Sequence, residues 1–327
     1  NTNPISLIDL GAGRFSSATV DTNIITLQKA VNQNNLTAVS YHEDNLKNIA
    51  HYIKLNSVKM AFSQNENWTI LNPIEVSIKN KIIKNGVPLE KWDIKTNRGI
   101  LTGYNDAFII DEITRQEIIA EDPKSDEILK PILRGRDIVK NRINFANLYL
   151  ITTHNGYYDD QHIRIPAVNI NDYPAIKAHL DKFSDKLVKR TSKGKTPYHL
   201  QYCMSISQLE KPKIIYREIS EDMNAVMDTN GFYINNKCYM VYGSNLKFLC
   251  SFFNSKIFKL IINDVNTTGG KGKNFINQIR AIMPESDRAF SDKEFYELYN
   301  LTPDEINHIE LLNSSKTESA TTNDFDD

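Results

Sequence analysis

The stretch from Arg98 to Asp137 constrains this chain more than any other. It reads RGILTGYNDAFIIDEITRQEIIAEDPKSDEILKPILRGRD. Two glycines flank the Ile100–Leu101 step, polar turn residues follow, and an apolar run begins at Ala107. Ile100–Leu101 and Ala107–Ile110 read as strands around a turn at Gly103-Tyr104-Asn105-Asp106. Thr114–Glu121 reads as one or two helical turns. Glu127–Leu133 is a helix-like segment in which Ser125 caps Asp126–Leu129 and Pro131 ends the helix. Arg134-Gly135-Arg136-Asp137 then places two cations around a glycine.

The remaining elements are equally short. Ile5–Leu10 is a strand ended by Gly11-Ala12-Gly13, and the β-branched run Ala18–Leu27 is a second. Residues 43–64 start as a helix capped by Asn45. Ile74–Lys84 is a second helix closed by Asn85-Gly86, and Val87-Pro88-Leu89 is a linker. Asn147–Thr152 is a strand. Asn171-Asp172 caps an amphipathic helix that turns Tyr173, Ile176, Leu180, Phe183 and Leu187 to one side. Lys213–Glu218, Ala225–Asp228, Phe232–Ile234 and Cys238–Tyr242 form a meander of short strands, with a turn at Asn230-Gly231. Asn245–Ile262 is an apolar helix. Phe295–Leu312 is helical, with Thr302 as cap and Pro303 at the first helical position. The polar residues 313–327 read as disordered.

Composition narrows the class. The 327 residues are 40% hydrophobic, enough for one large or two smaller cored domains. Cys203, Cys238 and Cys250 lack a C-x-x-C spacing and read as reduced thiols of a cytoplasmic protein. No leader is visible at Asn1–Asp9, and the apolar run Phe248–Ile262 is too short and too polar to span a bilayer. The net charge of −1 is unevenly placed: from Pro303 onward seven acids face Lys316 alone, so residues 1–302 carry a net +5. A basic body with an acidic tail suits a nucleic-acid binder.

The cations cluster. Lys124, Lys130, Arg134, Arg136, Lys140 and Arg142 form one group. Lys177, Lys182, Lys186, Lys189, Arg190, Lys193 and Lys195 form a second, and Lys271 and Lys273 lie in a glycine-rich loop. Cations at phosphates gain affinity by releasing counterions, and the arginine fork suits a guanine edge. The helical lysines read equally as a solvated face, and Arg134 and Arg136 as a structural pair with Asp137. Enzyme signals are weak. Asp93-Ile94-Lys95, with Glu75, fits a metal-dependent nuclease pattern, but Asp122-Pro123-Lys124 fits it as well. No histidine spacing suits zinc, and no phosphate loop is present.

In order and spacing, six motifs resemble the C-terminal part of adenine-specific DNA methyltransferases of restriction–modification systems, the TaqI-like and Eco57I-like group. They are the hairpin around Phe15, GILTGYNDAF (99–108), EILKPILRGRD (127–137), KTPYHL (195–200), EKPKIIYREI (210–219), and the run from NGFYINNKCYMV (230–241) to SFFNSKIF (251–258). One departure is Tyr198-His199-Leu200-Gln201, where relatives commonly show an aromatic followed by Glu-Leu-Arg. The resemblance implies an α+β fold: a β-rich target-recognition domain with an α-helical hairpin, preceded by a remnant of an α/β methyltransferase domain. The implied boundaries are 1–45 for the last catalytic hairpin, 46–90 for a helical linker, 91–290 for the specificity domain, and 291–327 for a terminal helix and acidic tail.

The implied function is sequence-specific recognition of duplex DNA for a type II or IIG enzyme that methylates adenine at N6. S-adenosylmethionine would be bound in the intact enzyme only. This chain has neither the Asn/Asp-Pro-Pro-aromatic tetrapeptide nor a cofactor loop, so it is expected to need no cofactor and to transfer no methyl group alone. Its partners would be DNA and its own N-terminal catalytic domain, not a membrane. By resemblance, Phe15 stacks on the flipped adenine; read from the residues alone, it is a loop aromatic covering a core edge. The DNA contacts are expected among Tyr104, Asn105, Arg134, Arg136, Lys193, Lys195, Tyr198, Arg217, Lys271 and Lys273. Residues shared by proteins that read different sequences should hold the fold or the backbone. The base readers then fall in His154–Arg164, Lys193–Gln201 and Arg217–Asn224. A free-standing specificity subunit and an autonomous nuclease are the alternatives.

Overall fold

A computed structural model describes residues 2–11, 14–15, 20, 22–41, 49–62, 68, 70–202, 206–219, 222–264 and 273–314. The fold is α+β. It divides into two compact units, one formed by residues 1–84 with 300–327 and the other by 85–299.

The first unit carries strands β1 (Asn3–Gly11), β2 (Thr22–Gln28), β3 (Asn35–Ser40) and β4 (Val58–Ala61) in the order β2-β1-β3-β4. β1 runs antiparallel to β2 and parallel to β3. Leu36, Ala38, Val39 and Tyr41 are buried, whereas β2 exposes nearly every side chain. The helix expected over 43–64 ends at Asn56, and Val58–Ala61 pairs instead with β3. Its alternating burial shows why: every second residue turns inward, the period of a strand. The Asn45 cap lies outside the described residues.

Helices Pro73–Asn85 and Pro303–Ser314 are linked within the same unit by Ser77 and Lys81, which reach Glu305, and each buries isoleucines: Ile78 and Ile82 on one, Ile309 on the other. Both start with proline after a reciprocal cap. Asn72 and Glu75 exchange side-chain and backbone bonds at 2.9 Å, and Thr302 and Glu305 do the same. Glu305 also accepts from Ser77 (2.7 Å) and Lys81 (2.6 Å). Burial alone would raise its pKa, but Lys81, the Thr302 backbone and Ser77 outweigh it and hold the carboxyl below the ordinary glutamate value.

The second unit contains fourteen short strands among the described residues. They are β5 (Val87–Pro88), β6 (Ile94–Arg98), β7 (Ile109–Asp111), β8 (Leu129–Leu133), β9 (Ile138–Val139), β10 (Arg142–Ile143), β11 (Leu148–Ile151), β12 (Tyr157–Tyr158), β13 (Arg164–Ile165), β14 (Lys213–Arg217), β15 (Val226–Asp228), β16 (Tyr233–Ile234), β17 (Cys238–Gly243) and β18 (Arg280–Ala281). Two four-stranded sheets, β16-β8-β11-β7 and β15-β14-β17-β6, frame the main core. Ile110, Ile132, Leu133, Leu150 and Ile151 from one share a single buried cluster with Ile215, Val226, Cys238 and Met240 from the other, and Ile176, Leu180 and Leu187 from helices Pro174–Asp181 and Ser184–Lys189 join it. Helix Leu246–Phe253 packs on β14, β15 and β17, and Ile214, Tyr216 and Val241 are buried as well. β14 is thus covered on both faces, which explains its unbroken apolar reading.

Several expectations need correction. Glu127–Leu133 is not a helix stopped by Pro131: a 3₁₀ turn ends at Ile128 and β8 runs through the proline. β16 pairs only with Ile132 and Leu133, so on that side Pro131 faces no strand that asks for its missing N–H. Ala107 and Phe108 belong to a helical turn, Asn105–Phe108, and the strand starts only at Ile109. Val87–Pro88 is a strand paired with β18 rather than a linker. β16 leaves the expected meander and joins β8 in parallel. The Tyr173–Leu187 helix is two, Pro174–Asp181 and Ser184–Lys189, though the apolar face holds. Asn254 and Ser255 split the Asn245–Ile262 helix, because the Asn254 amide donates to Ala225 O at 2.7 Å and to Cys250 O at 3.0 Å. The 313–327 tail reading lies outside the described residues beyond Ser314.

Candidate nucleic-acid interface

Two shallow clefts of the second unit adjoin at the turn from β16 to β17, Asn235-Asn236-Lys237. The first holds about 220 Å³ between Leu101–Asn105, Gln201 and Asn236. None of these side chains is charged. Arg190 shapes it from behind. Its Nη1 donates to Thr102 O at 2.5 Å, and its Nη2 donates to Pro197 O (2.6 Å) and His199 O (2.8 Å). One guanidinium therefore ties the Thr102–Asn105 turn to the Pro197–Gln201 loop, as a planar fork can and an ammonium cannot. Burial lowers its pKa. Gly103 is required here twice over: its φ is +79°, and a Cβ would come within 2.9 Å of Arg190 Nη1. Gly99 is required by close approach, since a Cβ there would lie 2.2 Å from Asn235 O. The Thr102 hydroxyl donates to Asn105 Oδ1 at 2.7 Å and accepts from Tyr104 N at 3.2 Å. Tyr104 leans on Phe183, with centroids 6.0 Å apart.

The second cleft, about 180 Å³, lies between Gly135, Arg136, Arg217, Glu218, Ile219 and Lys237. The two arginines of the Arg134–Asp137 turn do different things here. Arg134 forks onto Asp137, with Nε at 3.1 Å and Nη2 at 2.9 Å, while the Asp137 carboxylate accepts from Arg134 N at 2.7 Å. That pair closes the turn. Arg136 is exposed and lines the cleft. Arg217 Nε donates to Gly135 O at 2.6 Å, which fixes its guanidinium at the end of β14. Glu218 is neutralised by Arg98 at 2.9 Å.

The other sequence-predicted residues are dispersed. Lys193 Nζ donates to Val188 O, and Lys195 N donates to Asn155 Oδ1 at 3.0 Å. Tyr198 donates to Asp181 at 2.5 Å, with Lys177 over its ring. The Asp181 carboxylate raises the Tyr198 pKa, as does burial. Lys273 is exposed at the first position of helix Lys273–Gln278, and Lys271 lies outside the described residues. In the first unit, Phe15 is 58% exposed and so does not cover a core edge. Beside it, Arg14 holds the loop by donating to Leu10 O (2.6 Å) and Tyr41 O (2.9 Å).

Sequence reasoning missed Lys237 and Asn236, and counted Arg190 among helix cations without its role. The INNK turn was the available signal for the first two: polar residues between two apolar strands, inside a recognised motif.

Short sheets around one core, with a cationic and a neutral cleft meeting at one turn, define an α+β domain built to present loops. Residues 130–283 match the model of the family described as the TaqI-like C-terminal specificity domain. No curated protein matches. Among solved structures the chain is similar to the type IIL restriction-modification enzyme MmeI in complex with DNA, at 13% identity and TM-score 0.46, covering 86% of this chain and 34% of that one. It is also similar to the type IIG restriction endonuclease BpuSI, at 13% identity and TM-score 0.42, covering 92% of this chain and 39% of that one. The chain therefore spans less than two-fifths of either protein.

Proposed function

We propose that this chain is the target-recognition part of an adenine-specific DNA methyltransferase of a restriction–modification system, and that it reads duplex DNA with the loops of its second unit. The match of residues 130–283 to a specificity domain carries the reading. The neutral cleft supplies a base-reading place. Most of its wall is motif: Thr102, Tyr104 and Asn105 are held by one another, and Asn236 by the β16–β17 turn. Gln201 stands outside the motifs, at the point where the sequence departs from its relatives, and its amide suits an adenine edge. Motif residues then hold the shape, and Gln201 reads.

The first unit belongs to the catalytic side of the same proposal. β2 exposes Ile24 (46%), Ile25 (46%) and Leu27 (55%), so that edge strand is apolar on both of its faces. A strand of that kind is normally covered from both sides. The cover proposed is the methyltransferase catalytic domain, which would bind S-adenosylmethionine. Phe15, exposed on a loop braced by Arg14, would stack on the flipped adenine. A cytoplasmic, reducing setting completes the reading. Cys238 and Cys250 are buried free thiols whose pKa values burial pushes up to about 12.

The test is selection of the chain on a randomised duplex library. Enrichment of one short sequence is expected. Equal retention of all sequences would overturn the recognition reading. In the intact enzyme, 2-aminopurine at the target position should lose its flipping signal in Phe15→Ala, with duplex affinity unchanged.

A further inference from the structure

We infer that the cleft between the Arg134–Asp137 turn, the end of β14 and the start of β17 clamps a backbone phosphate of the duplex, through Arg136, Arg217 and Lys237; the inference rests on the DNA-binding reading above. The charges argue for it. Among the described residues, Arg134 is matched by Asp137 at 2.9 Å, and Glu218, the one carboxylate lining the cleft, by Arg98 at 2.9 Å. Three cations, Arg136, Arg217 and Lys237, then remain among the described residues around about 180 Å³. Like charges gathered around one cleft repel one another, and a bound anion relieves that. A neutral base edge offers acceptors to one arginine but no charge to balance three. A phosphodiester offers both a charge and acceptor oxygens.

Construction of the cleft fits a positioning role. Arg217 cannot swing freely, because its Nε is held by Gly135 O at 2.6 Å. Arg136 and Lys237 are exposed, so they can close on a phosphate at the surface. Ile219, 78% exposed, forms an apolar edge of the same cleft, as the sugar of a nucleotide would ask and a free phosphate ion would not. Asn236 and Lys237 are consecutive, with Cα atoms about 3.8 Å apart, yet one lines the neutral cleft and the other the cationic one. A phosphate held at Lys237 would fix the register of the base offered to Gln201. This gives a physical reason for cations inside the Arg134–Asp137 motif: they locate the strand and leave reading to residues elsewhere.

The experiment is a salt titration of duplex binding by the full chain, run over a randomised library. Arg136→Gln and Lys237→Gln should each flatten the slope of log affinity against log salt by about 0.9, and should weaken every sequence by the same factor. Lys237→Arg should restore the slope. Lys177→Gln, which removes a cation paired with Asp181 at 2.8 Å, should leave it unchanged. Unchanged slopes in the first two variants overturn the clamp, as does an equal flattening in Lys177→Gln, which would report net charge alone. A loss confined to one base position makes these residues readers and also overturns it. If the unaltered chain binds no duplex at all, the DNA reading falls and the clamp with it; if it binds and only the slopes fail, the clamp alone falls.

Discussion

The two clefts share a turn but use their arginines in opposite ways. In the neutral cleft, Arg190 faces inward and donates to the carbonyls of Thr102, Pro197 and His199. In the cationic cleft, Arg136 is exposed, and Arg217 is tethered through its Nε to Gly135 O. Unmet carbonyls decide the difference. Where two loops converge with their oxygens toward each other, a guanidinium is drawn in and becomes structure. Where the turn is already closed by Arg134 and Asp137, the next arginine is left for a ligand.

The most damaging way to break this comparison is to loosen the turn that both clefts share. Lys213 and Asp228 form a fully buried ion pair at 2.5 Å, and Asp228 also accepts from Asn230 N (2.9 Å) and Phe232 N (3.0 Å). The pair thereby sets the path into β16 and the Asn235–Lys237 turn. Removing one partner of such a pair costs about 3–5 kcal/mol. Lys213→Ala should lose about that much in chemical denaturation, and both sequence preference and salt slope should degrade together. A variant of near-native stability would show that the turn does not depend on the pair.

Arg190→Ala should separate the clefts. It strands four carbonyls, among them those of the buried residues Thr102 and His199. A buried group left unmet costs about 1–3 kcal/mol, so a total near 3 kcal/mol is expected, with Arg190→Lys recovering little. Sequence preference should collapse while the salt slope holds. A fall in slope would mean that Arg190 touches phosphate, and the inward–outward distinction would be wrong. Gln201→Ala is milder. It should weaken the preferred site by about 1–3 kcal/mol at one base position and leave other sequences alone.

These contrasts also mark what the sequence makes legible. Strands β11, β14, β15 and β17 stand where their short apolar runs put them, because each is buried by its own apolar residues. The apolar face from Tyr173 to Leu187 is right although the helix breaks. β8 is hard to read because Ser125 offers a helix cap before Glu127–Leu133 and Pro131 a helix stop within it, and only β11 and β16, far along the chain, make it a strand. The site is less legible for the same reason. Nothing local distinguishes Arg190, which binds the Thr102 carbonyl nearly ninety positions away, from Lys186 or Lys189 in the helix just before it. Nor can sequence show that Arg134 is occupied and Arg136 is not, since both neighbour the same aspartate.

The smallest expected effect comes from pH, and it should fall on one cleft only. The loop ending at Gln201 is anchored on the segment before His154: Leu200 N donates to Thr153 O at 3.0 Å, and the Thr153 hydroxyl donates to Tyr198 O at 2.6 Å. His154 itself is part-buried, and its Nδ1 accepts from Gly156 N at 3.1 Å. Burial, then the neighbouring His199 and Arg164, lower its pKa. The folded state therefore prefers a neutral ring, whereas the unfolded chain takes up a proton near the ordinary histidine value of about 6.5. Below that value the unfolded state binds more protons than the folded one, so stability present above it is lost as pH falls toward the lowered value. His179, lowered mainly by burial, adds in the same direction. Melting at about pH 7 and about pH 5 should show a loss in the unaltered chain and a smaller one in His154→Gln. Binding measured over the same range should lose sequence preference before the salt slope changes, because the acid-sensitive anchor serves Gln201 and not Arg136 or Lys237. If instead the slope moves first and preference persists, the two clefts are not supported independently, and the comparison between them fails.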